Sequence, residues 1–232
     1  MRCRTARIVG ESLDVAETPD RQELLTALTT EHFTLQGARA QTTSESTARA
    51  GLYIAAVSST LIALGFIAQA SEAGDVFNVF SLVVLPTLYV IGLFTFLRMS
   101  ESAEEDLLYG RAINRIRHHY VALAGDEARL FMMSARDDVP GVMWNMGLRP
   151  TRSQPYLTAA FMIAVVNSVI GGTTVALAVA ATGDPPLGIP VAVGGATAIA
   201  SLFAMSRSQM NRFRRGAAAT ESLFPSHPEG AS

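Results

Sequence analysis

What this chain lacks narrows its class before any motif is read. It has no lysine: all 18 basic residues are arginine, set against 20 Asp and Glu for a formal net charge of −2. Nucleic acid is bound through basic surfaces that neutralise phosphates, so no nucleic-acid partner is expected. The one cysteine, Cys3, excludes an intramolecular disulfide and a cysteine-based zinc site. Charged residues are scarce at 16%, whereas apolar residues make up 49% and mean hydropathy is +0.28.

Charge is missing altogether from four long stretches. No Asp, Glu, Arg or His occurs in residues 50–71, 76–97, 156–181 or 187–206. At 1.5 Å per residue, about 20 residues cross the roughly 30 Å of bilayer hydrocarbon, and each stretch is long enough. The expected fold is all-α: a polytopic membrane protein with four transmembrane helices in two hairpins, plus cytoplasmic helices. No apolar leader follows the early Arg2, Arg4 and Arg7, so the first span reads as a retained anchor.

The arginines set the expected orientation. Residues 1–49 hold six, 98–155 hold eight and 207–232 hold four, while the turns at 72–75 and 182–186 hold none. Under the positive-inside rule, both termini and the central segment are cytoplasmic. The chain then divides into an N-terminal arm and helix (1–49), hairpin one (50–97), a helical loop (98–155), hairpin two (156–206) and a basic, then disordered tail (207–232). The tail cluster Arg207, Arg212, Arg214 and Arg215 is placed to meet anionic lipid, at about 1 kcal/mol per residue near the surface. Arginine without lysine fits the codon usage of a GC-rich bacterium, and the expected location is the bacterial plasma membrane.

In the arm, Asp20 is placed to cap a helix with Glu23 as its capping-box partner, and Leu24, Leu25, Leu28 and Phe33 form a loose apolar stripe. Residues 34–49, rich in Ala, Gln, Thr and Ser, are able to continue as helix into the first span. In the central loop Tyr109, Ile113, Ile116, Tyr120 and Leu123 step by 4, 3, 4 and 3, a heptad seam that wants a partner helix. That partner is either the N-terminal stripe or a second copy, and a homo-oligomer is expected. Glu101, Glu104, Glu105 and Asp106 precede Arg111, Arg115 and Arg117, matching the helix dipole. Asp126 is expected to cap a shorter helix carrying Leu130, Phe131, Met132 and Met133. Pro140, Gly141, Gly147 and Pro150 break up the rest of the loop, and Ser153 with Pro155 reads as the start of span three.

Asn167 is expected near the middle of span three, the most polar side chain at that depth, and an amide there has to face another helix or a pore. It either pairs with Ser58 or Ser59 of span one or joins Ser168, Thr173 and Thr174 in a polar path. Ser168, Gly172, Ala176 and Ala180 form a small-residue ladder on span three, and Ala192, Ala196, Ala200 and Ala204 another on span four. Such faces let helix backbones approach closely, and the two ladders are expected to face each other. Pro86 predicts a static bend in span two. A 109-residue shift brings both Gly-Asp turns and both exit arginines into register, which allows for an internal duplication.

Catalytic machinery is not legible. There is no phosphate loop, no Gly-x-Ser-x-Gly elbow and no His-Glu-x-x-His. Adjacent His118 and His119 point about 100° apart on a helix and chelate poorly. No span carries an acid, which argues against a carboxylate-driven ion carrier. Neither an enzyme nor a cofactor is expected.

The run Glu31-His32-Phe33-Thr34-Leu35-Gln36, with Ala50-Gly51-Leu52-Tyr53, Val57-Ser58-Ser59 and Gly110-Arg111-Ala112-Ile113-Asn114-Arg115-Ile116-Arg117, resembles uncharacterised four-helix integral membrane proteins of actinobacteria. The resemblance implies a host and an architecture. The function expected from the residues is a non-enzymatic membrane scaffold or signalling component that assembles through its cytoplasmic helices. The alternative is an oligomeric ion channel or membrane-permeabilising effector lined by spans one and three.

Overall fold

The computed structural model describes residues 20–72, 74–148, 158–183 and 185–226. Among them every regular element is helical: α1 (Arg21–Ala70), α2 (Asp75–Ala124), a 3₁₀ helix (Gly125–Leu130), α3 (Val139–Asn145), α4 (Ala159–Ala180) and α5 (Gly188–Ala218). The four long helices α1, α2, α4 and α5 are each long and apolar enough to cross a membrane. This is a multi-pass membrane protein.

Two of these helices are far longer than a bilayer needs. α1 and α2 have 50 residues each, so each extends about 75 Å at the helical rise, more than twice the hydrocarbon thickness. Nothing in residues 34–49 interrupts α1: no proline occurs there, and Ala, Gln, Glu and Arg favour helix. α2 runs through Pro86 and past Arg98 without a break, and ends where Gly125 takes a positive φ of 54°, a backbone conformation open mainly to glycine. Together the two helices form a stalk that projects from the apolar bundle.

α1 and α2 run side by side in opposite directions. Thr29 meets Tyr120, Arg39 meets Asp106 and Glu45 meets Arg98. The inward stripe of α1 is Leu25, Leu28, His32 and Leu35, half-buried, followed by buried Thr42, Ala50, Tyr53 and Val57. Leu24 and Phe33 are exposed on other faces, so the stripe read from the sequence shared only Leu25 and Leu28 with the packed one. The steps of 3 and 4 average 3.5, which keeps one face on α2 along the stalk. Asp20 occupies the N-cap position, but its side chain makes no capping bond.

The far end of the stalk departs from expectation. After Ala124 the chain makes a 3₁₀ helix ending at Leu130, and Phe131, Met132 and Met133 are not helical. The segment expected to be broken by Pro140 instead contains α3. Asp138 caps it by accepting from Gly141 N at 2.8 Å, and Pro140 sits in the first turn, where its missing N–H costs nothing. Val142 of α3 is fully buried against Gly110 of α2, where an added Cβ would lie 2.6 Å from a Val142 methyl. Ser153 and Pro155 lie outside the described residues. α4 is capped by Thr158, whose hydroxyl accepts from Phe161 N at 3.2 Å.

In the bundle the core is built from Tyr53, Val57, Leu85, Leu88, Phe96 and Ile163. The outer surface is also apolar, with Leu61, Ile62, Phe66, Val83, Ile199 and Phe203 exposed, as for helices that meet hydrocarbon. Under the 109-residue shift, fully packed Ser168 corresponds to exposed Ser59. The two halves therefore do not repeat each other's packing.

Candidate functional site

Asn167 is completely buried, and its Oδ1 accepts a hydrogen bond from the Tyr53 hydroxyl at 3.0 Å. Span one supplies the partner, through Tyr53 and not through Ser58 or Ser59, both of which are exposed. The pitch explains this: Tyr53, Val57 and Leu64 form the inward face, and Ser58 and Ser59 fall one and two residues off it. Gly92 of α2 is the third wall. A Cβ there would collide with the Asn167 amide and the Tyr53 hydroxyl. Among the described residues Asn167 Nδ2 has no hydrogen-bond partner, so within them the amide is half satisfied. Because Tyr53 lies only three residues into the first apolar stretch, this contact sits toward the stalk end of the bundle, not at its middle.

The small-residue contact between α4 and α5 is real but differently phased. Gly172 meets Gly194 and Ala198: added Cβ atoms would lie 2.5 Å from the Gly194 carbonyl oxygen and 2.8 Å from Ala198 Cβ. Gly194 in turn faces Ala176 at 2.7 Å. Ser168 also belongs to this face, with its hydroxyl 3.9 Å from Met205 Sδ. Ala192, Ala196, Ala200 and Ala204 are all exposed. Two residues separate them from the packed Pro190, Gly194, Ala198 register, and two residues turn a helix by about 200°. Repeating alanines at a four-residue period mark a face without saying which way it points. Ala180 is likewise exposed.

The heptad seam of α2 is covered. Ile113 and Ile116 are buried, Tyr109 and Tyr120 half-buried, and Tyr120 reaches Thr29 at 3.2 Å and packs edge-on against His32 at 6.1 Å. Near the base of the stalk, Arg98 gathers Glu45, Glu101 and Glu105 at 3.6, 3.5 and 3.2 Å. Arg212 of α5 joins Glu101 at 3.7 Å. Exposed pairs of this kind contribute little singly, about 0–1 kcal/mol, but these tie three helices at one level. Arg207, Arg214 and Arg215 remain exposed.

A polar clasp holds the tail, and sequence reasoning did not find it. Asp137 is fully buried and accepts from Ser222 Oγ (2.6 Å), Leu223 N (3.0 Å), Phe224 N (2.8 Å) and Arg115 Nε (2.6 Å). Burial alone would raise its pKa, but the Ser222, Leu223, Arg115 and Phe224 donors outweigh it and hold the carboxyl far below the usual range. Asp138 accepts from Ser226 N and Oγ at 2.6 and 3.0 Å, and it too is held low against the effect of burial. Arg111, 4% exposed, donates to the Asp137 and Ala217 carbonyls at 2.8 and 3.0 Å, and Arg115 also bonds the Glu221 carbonyl. His118 stacks on Phe224 at 3.7 Å. The available signal was Asp137-Asp138 just before Pro140, with Arg111 and Arg115 one helical turn apart. In the sequence those arginines read as complements to the helix dipole, and the end of the 207–232 tail reads as disordered.

Among the described residues, no group of three or more His, Cys, Asp or Glu side chains is placed to hold a metal ion. No family model matches the chain, and neither a curated protein nor a solved structure is similar to it.

Proposed function

We propose that this chain is a non-enzymatic scaffold or signalling component of the bacterial plasma membrane, built as two transmembrane hairpins with both termini cytoplasmic, and that its stalk is the working part. One observation carries the reading. α1 and α2 cross from the apolar bundle into the stalk without a break in either helix. A displacement of the stalk tip is thus passed into spans one and two with no flexible joint to absorb it, the property wanted in a device that couples an aqueous partner to a membrane bundle.

The stalk helices satisfy one another in cis. In this reading homo-oligomers form through exposed faces of the stalk or bundle, and Arg207, Arg214 and Arg215 rest on anionic lipid. Purified protein reconstituted in liposomes and tested for ion flux decides between this function and a pore. No flux above protein-free vesicles is expected, and steady conductance would replace the scaffold with a channel. Orientation has its own test. With Cys3→Ser as background, Gly74→Cys and Gly183→Cys should react with an impermeant thiol reagent on intact cells, and Ala122→Cys only after lysis.

A further inference from the structure

Between the stalk half of α1, α2 and the segment that follows α3 lies an open cleft of about 1120 Å³, enough for a molecule of small-ligand size. It exists because the α1 wall is made of small and short polar residues, Ala40, Thr43, Ser44 and Thr47, where the opposing wall has Ile113 and Met146.

Its charge is out of balance. Arg39 is neutralised by Asp106, its Nε and Nη2 donating at 2.6 and 3.2 Å. Arg117 has no carboxylate partner among the described residues. Among the described residues its Nη1 bonds only the Asn114 Oδ1 and Ser134 carbonyl, each at 3.2 Å, and its Nε and Nη2 make no hydrogen bond. Burial and the neighbouring Arg39 charge both press down on the Arg117 pKa. A half-buried guanidinium repelled by a second one is costly to hold in place unless an anion completes it.

We propose that this cleft binds a soluble phosphorylated small molecule with a flat apolar body. The phosphate lies between Arg117 and Arg39, and the body lies against Ile113, Met133 and Met146. Phosphate fits better than carboxylate because the free Arg117 edge and the remaining Arg39 nitrogen offer more N–H donors than two oxygens can use. Two cations and one anion also leave one positive charge to offset.

Phosphate groups also occur on lipid, but distance separates the two sources. Arg39 lies eleven residues before Ala50 and Arg117 twenty residues beyond Leu97, so they stand about 16 and 30 Å from the apolar stretches. The headgroup layer is only about 5–8 Å deep on each side. The site takes a soluble ligand. It stands whether or not the stalk serves as a scaffold.

The test uses the full chain in phosphatidylcholine nanodiscs, with AMP, adenosine and inorganic phosphate as probes in calorimetric titration and thermal unfolding. AMP should bind saturably and raise the melting temperature, adenosine should not bind, and inorganic phosphate should bind more weakly. Arg117→Gln and Thr43→Leu should each weaken AMP binding at least about tenfold, the factor that accompanies loss of one charge-assisted hydrogen bond or closure of the cleft. Among the described residues the Thr43 hydroxyl bonds only the Arg39 carbonyl of its own helix, so Thr43→Leu keeps the fold if Arg117→Gln does not. Absence of saturable AMP binding, equal binding of adenosine, or binding that survives Thr43→Leu would overturn the site. Competition from phosphatidylglycerol in the nanodisc would overturn the soluble ligand in favour of a lipid headgroup.

Discussion

The two ends of the molecule bring helices together by opposite means. In the bundle, α4 and α5 meet through Gly172, Gly194, Ala176 and Ala198, where there is almost no side chain to bury. In the stalk, Tyr120 of α2 meets Thr29 and His32 of α1, Arg39 pairs with Asp106, and the large apolar Ile113 and Ile116 are buried. The solvent accounts for the difference. Hydrocarbon gives helices no hydrophobic reason to associate, so close van der Waals approach has to do it. Water rewards every large apolar side chain removed from it, at about 25 cal/mol per Å².

The largest effect should come from putting charge into the water-driven interface. Ile113→Asp with Ile116→Asp places two unpaired carboxylates in the seam, at a cost of several kcal/mol, on the order of 3–5 for each fully buried charge. The α1 residues before Arg39 should then become sensitive to protease while the bundle stays folded in detergent. Unchanged resistance would mean that the stalk helices separate freely and the seam carries no stability.

In the bundle the same logic calls for size in place of charge. Gly172→Leu forces α4 and α5 apart and should cost about 3 kcal/mol or more as overpacking, read as a lower melting temperature in detergent. Ala196→Leu should change little, because Ala196 is exposed. Equal losses would show that Gly172 and Gly194 do not share the α4–α5 contact.

That register shows how far the sequence carries. Four spans, the continuity of α1 and a partner-seeking seam at Ile113 and Ile116 are legible because each is periodic over many residues. Phase was not legible. Ala192, Ala196 and Ala200 looked like the packed face, but an alanine is small whether it faces protein or lipid, and only Gly194, with its carbonyl oxygen against Gly172, distinguishes the two. Asn167 needed a partner on span one, and serines suggested themselves because they are short and polar. The tyrosine was chosen by the rotation of α1. The clasp depends on contacts between residues as far apart as Asp137 and Phe224, which no local pattern encodes.

The clasp belongs to neither kind of interface and should give a smaller, local effect. Asp137→Asn removes the charge from the acceptor of Ser222, Leu223 and Phe224 and should cost about 2 kcal/mol, the value of one hydrogen bond to a charged group. Residues 219–226 should exchange amide protons faster while the rest of the chain is unchanged. Asp137 and Asp138 are held below their ordinary range, so their contribution is complete above a pH of about 4 and fades only as pH falls through the lower folded values. Tail exchange, corrected for intrinsic rates, should match at pH 7 and pH 5. Release of the tail between those values would contradict the carboxylate geometry.

The smallest expected change is Tyr53→Phe, which removes the one side-chain hydrogen bond that Asn167 makes among the described residues. Hydrogen bonds inside membrane bundles average about 0.6 kcal/mol, so the melting temperature should move little. A large drop would mean that this one polar contact, more than the glycine approach, fixes how span one sits on span three.

The unbroken helices also set a schedule for synthesis. The α1 half of the stalk leaves the ribosome first, yet the α2 residues that cover Leu25, Leu28 and Leu35 emerge only after both crossings of the membrane. At roughly 5–20 residues per second, the approximately 75 residues from Ala50 to Ala124 take about 4–15 s to appear. For that interval a long helix with one greasy edge waits in water beside the insertion machinery. Residues 34–49, mostly Ala, Gln, Thr and Ser, carry Leu35 as their one large apolar side chain, which confines that edge to the first part of the stalk.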